Sequence, residues 1–239
     1  MGVDQHFISH DQQLMAVAVN YRRYLFSLLE PHAKGAVLEI GAGIGNMTEM
    51  LVRRSPNPVD SICCVEAETP CVEILRDKFK GCGVRMEYLC GFFPEVAPKG
   101  TLFDLVFHYN VLEHVDDDVA ALAACRDLLK PGGMMFAFVP AFQVLYGSMD
   151  RQLRHHRRYG KRQLVQLVRA AGLEVVKARY CNFVGFFGWF YNNRIMGIQS
   201  QKAGQIWAFD KLILPVQSWL EGIVEPPVGQ NLYVVAKRV

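Results

Sequence analysis

Ala36-Val37-Leu38-Glu39-Ile40-Gly41-Ala42-Gly43-Ile44-Gly45-Asn46-Met47-Thr48-Glu49-Met50 decides how the rest of the chain is read. Val37, Leu38 and Ile40 are strand formers, three glycines follow, and a helical pattern comes after them. That order reads as strand, tight turn, helix. Gly41 and Gly43 let the backbone bend and pass close under a ligand, where a Cβ would collide. The helix opening near Ile44 presents unpaired N–H groups suited to an anion or a polar ligand. The spacing is G-x-G-x-G, with Asn46 where the dinucleotide fingerprint has its last glycine. Glu39 sits in an otherwise apolar strand, and a buried carboxylate is costly without a partner. A ligand ammonium would supply one. The ligand that fits has an amine, a carboxylate and a ribose, and lacks a pyrophosphate. A glycine-rich turn that holds nothing is the plainer alternative.

A second acid supports the ligand. Ser61-Ile62-Cys63-Cys64-Val65-Glu66 is a short apolar run that ends in a carboxylate. In a βαβ unit Glu66 falls at the tip of the neighbouring strand, where two oxygens can accept both ribose hydroxyls. Two further motifs follow, Phe103-Asp-Leu-Val-Phe-His-Tyr-Asn-Val-Leu-Glu-His-Val115 and Leu128-Leu-Lys-Pro-Gly-Gly133. With these four motifs, in this order and spacing, the chain resembles the class I S-adenosylmethionine-dependent methyltransferases over about residues 35 to 180. It is most similar to the branch that includes the ubiquinone and menaquinone biosynthesis enzymes and many natural-product methyltransferases. The resemblance implies S-adenosyl-L-methionine as cofactor, with S-adenosyl-L-homocysteine as product. Expected cofactor contacts are Glu39, Gly41, Ala42, Gly43, Gly45, Asn46, Glu66, Ala67, Gly91, Phe92 and Asn110. The family usually has an acid just after a glycine near position 91, meeting the adenine amino group. Gly91-Phe92-Phe93 stands there instead, so adenine is expected against an aromatic face.

Composition bounds the class. A chain of 239 residues, 51% hydrophobic and 21% charged, suits a globular protein with one large core. A net charge of +3 is too small to argue for nucleic acid. Seven cysteines, an odd number without C-x-x-C or Cys/His metal spacing, indicate unpaired, mostly buried thiols and no metal. The start, Met1-Gly-Val-Asp-Gln-His6, lacks a secretory pattern, and no apolar run reaches the roughly 20 residues of a membrane span. A cytoplasmic protein is expected.

Periodicity fills in the rest. A helix is expected over 11–30, lying over the cofactor mouth, then helices over 44–54, 70–80, 116–129 and 161–171. Strands are expected over 61–66, 84–89, 102–108, 134–139, 173–180 and 231–237. The alternation implies an α/β fold, a Rossmann-like, mostly parallel sheet with helices on both faces. The resemblance adds seven strands, the last antiparallel and inserted beside the fifth. The single domain divides into a lid (1–34), a cofactor core (35–182), an inserted segment (183–229) and the final strand (230–239). That insertion is rich in aromatics, beginning Phe183-Val-Gly-Phe186-Phe187-Gly-Trp189-Phe-Tyr191. So many rings need a partner. A helical cap over an apolar substrate pocket ranks first, a homodimer surface second, and a membrane-interface element third.

The chemistry is expected beyond the C-terminal ends of the strands. His108, Tyr109, Asn110 and His114 follow the fourth strand. His114 has the side chain for a general base near neutral pH, with Tyr109 beside it. A helix-start element in which His114 bonds backbone is the alternative. Tyr109-Asn110 is not the Asn/Asp-Pro-Pro-Tyr signature of nucleic-acid and protein amide N-methyltransferases, which argues against nucleic acid. The basic run Arg151 to Arg162 contains Arg154, His156 and Arg157, whose forks and rings suit an anionic acceptor group. A resembling bacterial subgroup shows a similar His-x-Arg-Arg-Tyr element. Tyr21, His108, Phe186, Phe187 and Trp189 complete the expected acceptor contacts. The expected reaction is methylation of a small molecule, at oxygen first and at carbon of a lipid or prenyl acceptor second. A cofactor-binding scaffold without turnover is the alternative of a different class.

Overall fold

A computed structural model describes residues 18–197 and 203–239. Seven strands form one sheet: β1 Gly35–Ile40, β2 Val59–Glu66, β3 Arg85–Cys90, β4 Phe103–Tyr109, β5 Leu129–Pro140, β6 Glu174–Cys181 and β7 Asn231–Lys237. Their order is β3-β2-β1-β4-β5-β7-β6. The first four junctions are parallel, and β7 runs antiparallel to both β5 and β6. Helices α1 Val19–Leu29, α2 Asn46–Arg54, α3 Thr69–Lys78, α4 Asp118–Leu128, α5 Ser148–Gln152 and α6 Lys161–Ala170 flank it.

The period-2 rule of a strand divides the core in two. Leu38 and Ile40 of β1 and Cys63 of β2 pack toward Leu122 of α4 and Leu164 of α6. Val37 and Cys64 point the other way, toward Phe26 of α1, Leu51 of α2 and Leu75 of α3. Adjacent Cys63 and Cys64 therefore serve opposite layers. β5 starts earlier than its sequence pattern suggests. Phe103 pairs with Leu129 and Leu105 with Met134, so Lys130 to Gly133 bulge within the ladder. Gly133 has no room there for a Cβ beside the Lys130 and Phe103 carbonyls.

The expected lid helix is described from Val19 onward; residues 1–17 lie outside the described range. The insertion forms α7 Phe183–Trp189, which widens into π turns over Phe190–Ile195. Then α8 Ala203–Ala208 widens over Phe209–Ile213 and leads into α9 Leu214–Ile223. α9 packs on α1: the Tyr24 hydroxyl bonds Glu221, and the Tyr21 N–H donates to Asp210 at 2.8 Å. The second half of the insertion thus packs on the lid helix and the end of β6, away from the tips of β1, β2 and β4. Among the described residues, no helix is long and apolar enough to cross a membrane.

Candidate active site

A cavity of about 1020 Å³ opens at the C-terminal tips of β1, β2 and β4. Strand tips, the glycine turn, α1 and the loop around His155 enclose it.

Two carboxylates define one end. Glu39 is buried, and its protein donor is the Thr48 hydroxyl at 2.6 Å. Desolvation pushes its carboxyl up to about 8, against the Thr48 hydrogen bond and with the Glu66 charge adding to the rise. A cation in the cavity would relieve that cost. Thr48 was not singled out in the sequence, although it lies within the opening motif, one turn into α2. Glu66 accepts from the Gly43 N–H at 2.7 Å and the Glu68 N–H at 3.0 Å. These bonds hold its head at the tip of β2. A carboxylate has about four acceptor sites, so two backbone donors leave capacity for hydroxyls.

The glycines divide between two duties. Gly41, at φ 72°, turns under the cavity, and a Cβ there would strike Val111. Gly45 does not line the cavity, contrary to the expectation of a cofactor contact. It takes φ 78° at the cap of α2, and a Cβ would collide with Phe79 and Leu75. Its requirement is helix packing. Ala42, Gly43, Asn46, Ala67, Gly91, Phe92 and Asn110 all line the cavity. Phe92 is exposed at its lip.

The opposite wall carries the titratable groups. The His114 ring meets the His155 ring edge-on, centroids 4.7 Å apart. Desolvation, with the His155 and His156 rings beside it, pushes the His114 imidazole down, toward about 4, although the residue keeps an exposed edge whose solvent screens part of that shift. Behind it Glu113 is fully buried, and neither carboxylate oxygen has a hydrogen-bond partner among the described residues. Burial pushes Glu113 up to about 8. His155 links this acid to a second one. Its Nε2 is 3.9 Å from Glu113, and its Nδ1 is 2.9 Å from Asp150. Arg158 Nε donates to the same Asp150 oxygen at 2.7 Å, and its guanidinium stacks over Trp189, 4.9 Å from the centroid. Burial would raise Asp150, but the His155 and Arg158 contacts outweigh it and hold Asp150 at about 2. Glu113, His114 and His155 bring potential metal ligands within 4.8 Å of one another. The sequence places His155 and Arg158 in the basic run near the crevice, with Asp150 just before it, and His155 and Arg158 both line the cavity; Glu113, behind the wall, was not singled out in the sequence.

Several expected acceptor contacts lie elsewhere. His108 is buried inside β4, paired to Ile40 and Ala137, and burial pushes it down to about 4. Arg157 turns away to Asp118, at 3.0 Å, and to the Asp116 carbonyl, so it braces the start of α4. Phe186 packs edge-on against Phe142, and Phe187 is exposed; neither reaches the cavity. Among the described residues of 183–229, Trp189 alone lines it. Tyr21, Arg154 and His156 do line it, with His156 Nδ1 2.9 Å from Asp116. Tyr109 lines it too, but its hydroxyl donates to the Leu25 carbonyl at 2.9 Å and burial raises it well above its ordinary range. Its proton is committed to holding α1 against β4.

Residues 37–133, the stretch that builds the glycine turn and both acid-bearing strands, match the methyltransferase domain family. Over that stretch, and in its strand order, the chain is similar to S-adenosylmethionine-dependent methyltransferases. It is 34% identical over 119 residues to the ubiquinone biosynthesis O-methyltransferase of Dinoroseobacter shibae, covering 50% of this chain and 46% of that one. The matched stretch spans 38% to 46% of the length of the curated relatives first found. The methyltransferase fold extends further than the sequence match. A phosphoethanolamine N-methyltransferase of Haemonchus contortus, solved with S-adenosyl-L-methionine, superposes with a TM-score of 0.62 at 17% identity, covering 89% of this chain and 51% of that one. The CcbJ methyltransferase of Streptomyces caelestis superposes with a TM-score of 0.58 at 15% identity, covering 92% and 89%. At such identities the likeness is one of fold.

Proposed function

We propose that this protein transfers the methyl group of S-adenosylmethionine to an oxygen of a small acceptor with an apolar body and an anionic group. The observation that carries the reading is the pair Glu39 and Glu66, held at adjacent strand tips and facing one cavity. The residues fit the cofactor. Glu39, destabilised as a carboxylate by its own burial, would hold the ammonium. Glu66 would accept the ribose hydroxyls while the Gly41–Gly43 turn passes beneath. When bound, the cofactor supplies an electrophilic methyl group on a sulfonium.

The chain's part is to align the acceptor, exclude water and receive a proton. Tyr21 and Leu25 of α1 and Trp189 of the insertion wall the cavity against solvent. Arg154 and His156, both in the lining, would meet the anionic group. The lone-pair nitrogen of His114 would take the proton that the acceptor's hydroxyl loses on methylation. With its pKa lowered toward about 4, His114 is neutral at working pH but a weak base. It therefore suits an acidic hydroxyl such as a phenol more than an aliphatic alcohol. The names of the curated relatives favour oxygen as well. Methylation at carbon of a lipid or prenyl acceptor is the second reading. It draws on the Tyr109 and Trp189 rings in the lining, which could face a developing cation.

The test couples binding to turnover. Glu66→Ala removes acceptor sites worth about 1.5 to 3 kcal/mol per charge-assisted hydrogen bond, so calorimetric affinity for S-adenosylmethionine should fall at least about tenfold. Unchanged affinity in a folded variant rejects the assignment. Formation of S-adenosylhomocysteine with a panel of phenolic acceptors then separates an enzyme from a binding scaffold.

A further inference from the structure

The helix that closes the insertion is folded inside out. α9 exposes Val216, Trp219, Leu220 and Ile223, the i, i+3, i+4, i+7 face of a helix. Its inward face carries Gln217 and Glu221, with Leu214. Those polar groups are fully used. Glu221 accepts from the Asn182 and Phe183 N–H groups at 3.2 and 2.9 Å and bonds the Tyr24 hydroxyl. Gln217 accepts from the Val184 N–H at 3.1 Å and donates to Asn182 at 3.3 Å. The preceding turn repeats the pattern: Asp210 is 2% exposed, whereas Trp207 is 61% and Leu212 66% exposed. An apolar face of this size on a soluble surface marks an interaction site.

Charge says what covers it. Residues 203–224 contain three charged side chains, Asp210, Lys211 and Glu221. Both acids are turned inward, so the outer face carries Lys211 as its one charge. Beside α9 a second cavity, of about 820 Å³, is bounded by Trp219 and Pro215 on one side and by Arg23, Lys177 and Arg179 on the other. Arg23 and Lys177 are exposed and have no carboxylate partner among the described residues. Two exposed tryptophans at the edge of an apolar face, with Arg23 and Lys177 next to them and the next exposed acid along the chain, Glu225, already paired with Lys161 and Arg179, match the demands of a bilayer interface. A two-fold contact with a second copy fits less well. It would bring these cations to one seam while the outer face of 203–224 offers no carboxylate to meet them.

We propose that the outer face of residues 207–224 docks on an anionic phospholipid bilayer, its apolar side chains entering the interface and Arg23 and Lys177 meeting lipid phosphates. The proposal goes beyond the methyl-transfer reading and is independent of it. In that reading's terms it would place the domain where an acceptor with a long apolar body is dissolved.

Co-sedimentation with vesicles of phosphatidylcholine, alone or mixed with phosphatidylglycerol, tests it on the full chain. Wild type should pellet with the mixed vesicles and remain in solution with phosphatidylcholine alone. Trp219→Asp/Ile223→Asp, at two exposed positions, should abolish pelleting while thermal unfolding and calorimetric S-adenosylmethionine binding stay unchanged. Arg23→Gln/Lys177→Gln should weaken binding to mixed vesicles roughly thirtyfold, the loss of two cations near an anionic leaflet. Wild type left in the supernatant of mixed vesicles overturns the proposal. So does equal binding to both lipids, or full binding by the Asp pair. A dimer in light scattering that the Asp pair converts to monomer would make this face a self-interface and overturn it as well.

Discussion

At the scale of single residues the charge state of Glu39 is the sharpest handle. Burial holds its carboxyl at about 8, so at pH 7 the empty protein carries mostly the protonated acid. An ammonium in the cavity stabilises the carboxylate and expels that proton. S-adenosylmethionine binding at pH 7 should therefore release close to one proton more in wild type than in Glu39→Gln. Calorimetry in buffers of different ionisation enthalpy reads this directly. Above about pH 9.5, where Glu39 is already ionised, the difference should vanish. Equal proton release by wild type and variant at pH 7 would remove Glu39 from the ammonium site. His114 shows the converse. Its ordinary pKa suggests a switch near pH 6.5, but burial and two neighbouring imidazoles move it down, toward about 4. A rate profile should then show no limb near pH 6.5 from His114.

At the scale of elements the loop from β5 to α6 is held by one buried acid. Asp150 joins His155, Arg158 and the Gly147 N–H, and Asn193 Nδ2 reaches it at 3.2 Å. Asp150→Ala would leave Arg158, 3% exposed, as a buried cation over Trp189 without its carboxylate. Loss of one partner of a buried pair costs about 3 to 5 kcal/mol. Urea unfolding should show that loss, and a variant within 1 kcal/mol of wild type, roughly the worth of an exposed pair, would mean that water replaces the contact. The elements themselves were largely legible. β7 was bounded at Asn231 and Lys237 from its pattern, and α2 and α6 to within two residues at each end, because apolar periodicity and glycine stops are local signals. The strand-tip acids were legible too, since a carboxylate in an apolar run has few explanations. The insertion was not. Its sequence contains an apolar face and a polar face, but periodicity does not say which one meets the protein. Asn182, in a left-handed conformation and buried, recruits Gln217 and Glu221 from a distant stretch and so turns α9 around. His108 failed for a related reason: it lies at the end of a strand that is buried on both faces, and a strand tip was read as a cavity wall.

At the scale of the whole molecule the displaced groups set how stability responds to pH. Glu39 and Glu113 have carboxyls raised to about 8 in the folded chain, against ordinary values near 4.5. Between those limits the folded state holds more protons than the unfolded state, so these two groups make stability fall as pH rises. His108, buried, is lowered to about 4 from 6.5; His114 is lowered too, but it is exposed and solvent screens its share. There the folded state holds fewer protons, so these two make stability rise with pH up to 6.5. The histidines offset the acids in part below pH 6.5. From 6.5 to 8 that offset fades as the unfolded imidazoles lose their last protons, and the acids dominate. Asp150, lowered to about 2, contributes stability fully above its ordinary 3.8 and adds no slope in this window. The ligand-free protein should thus lose stability from pH 6.5 to 8, at up to about 1.4 kcal/mol per pH unit for each acid. Glu113→Gln should remove one share of the slope, and saturating S-adenosylmethionine should remove the other by ionising Glu39 in the folded state. Urea titrations at half-unit steps resolve these contributions. A stability that is level or rising across that window in the ligand-free wild type would show that neither acid keeps its proton in the folded chain, and would take the ammonium-relief argument for Glu39 with it.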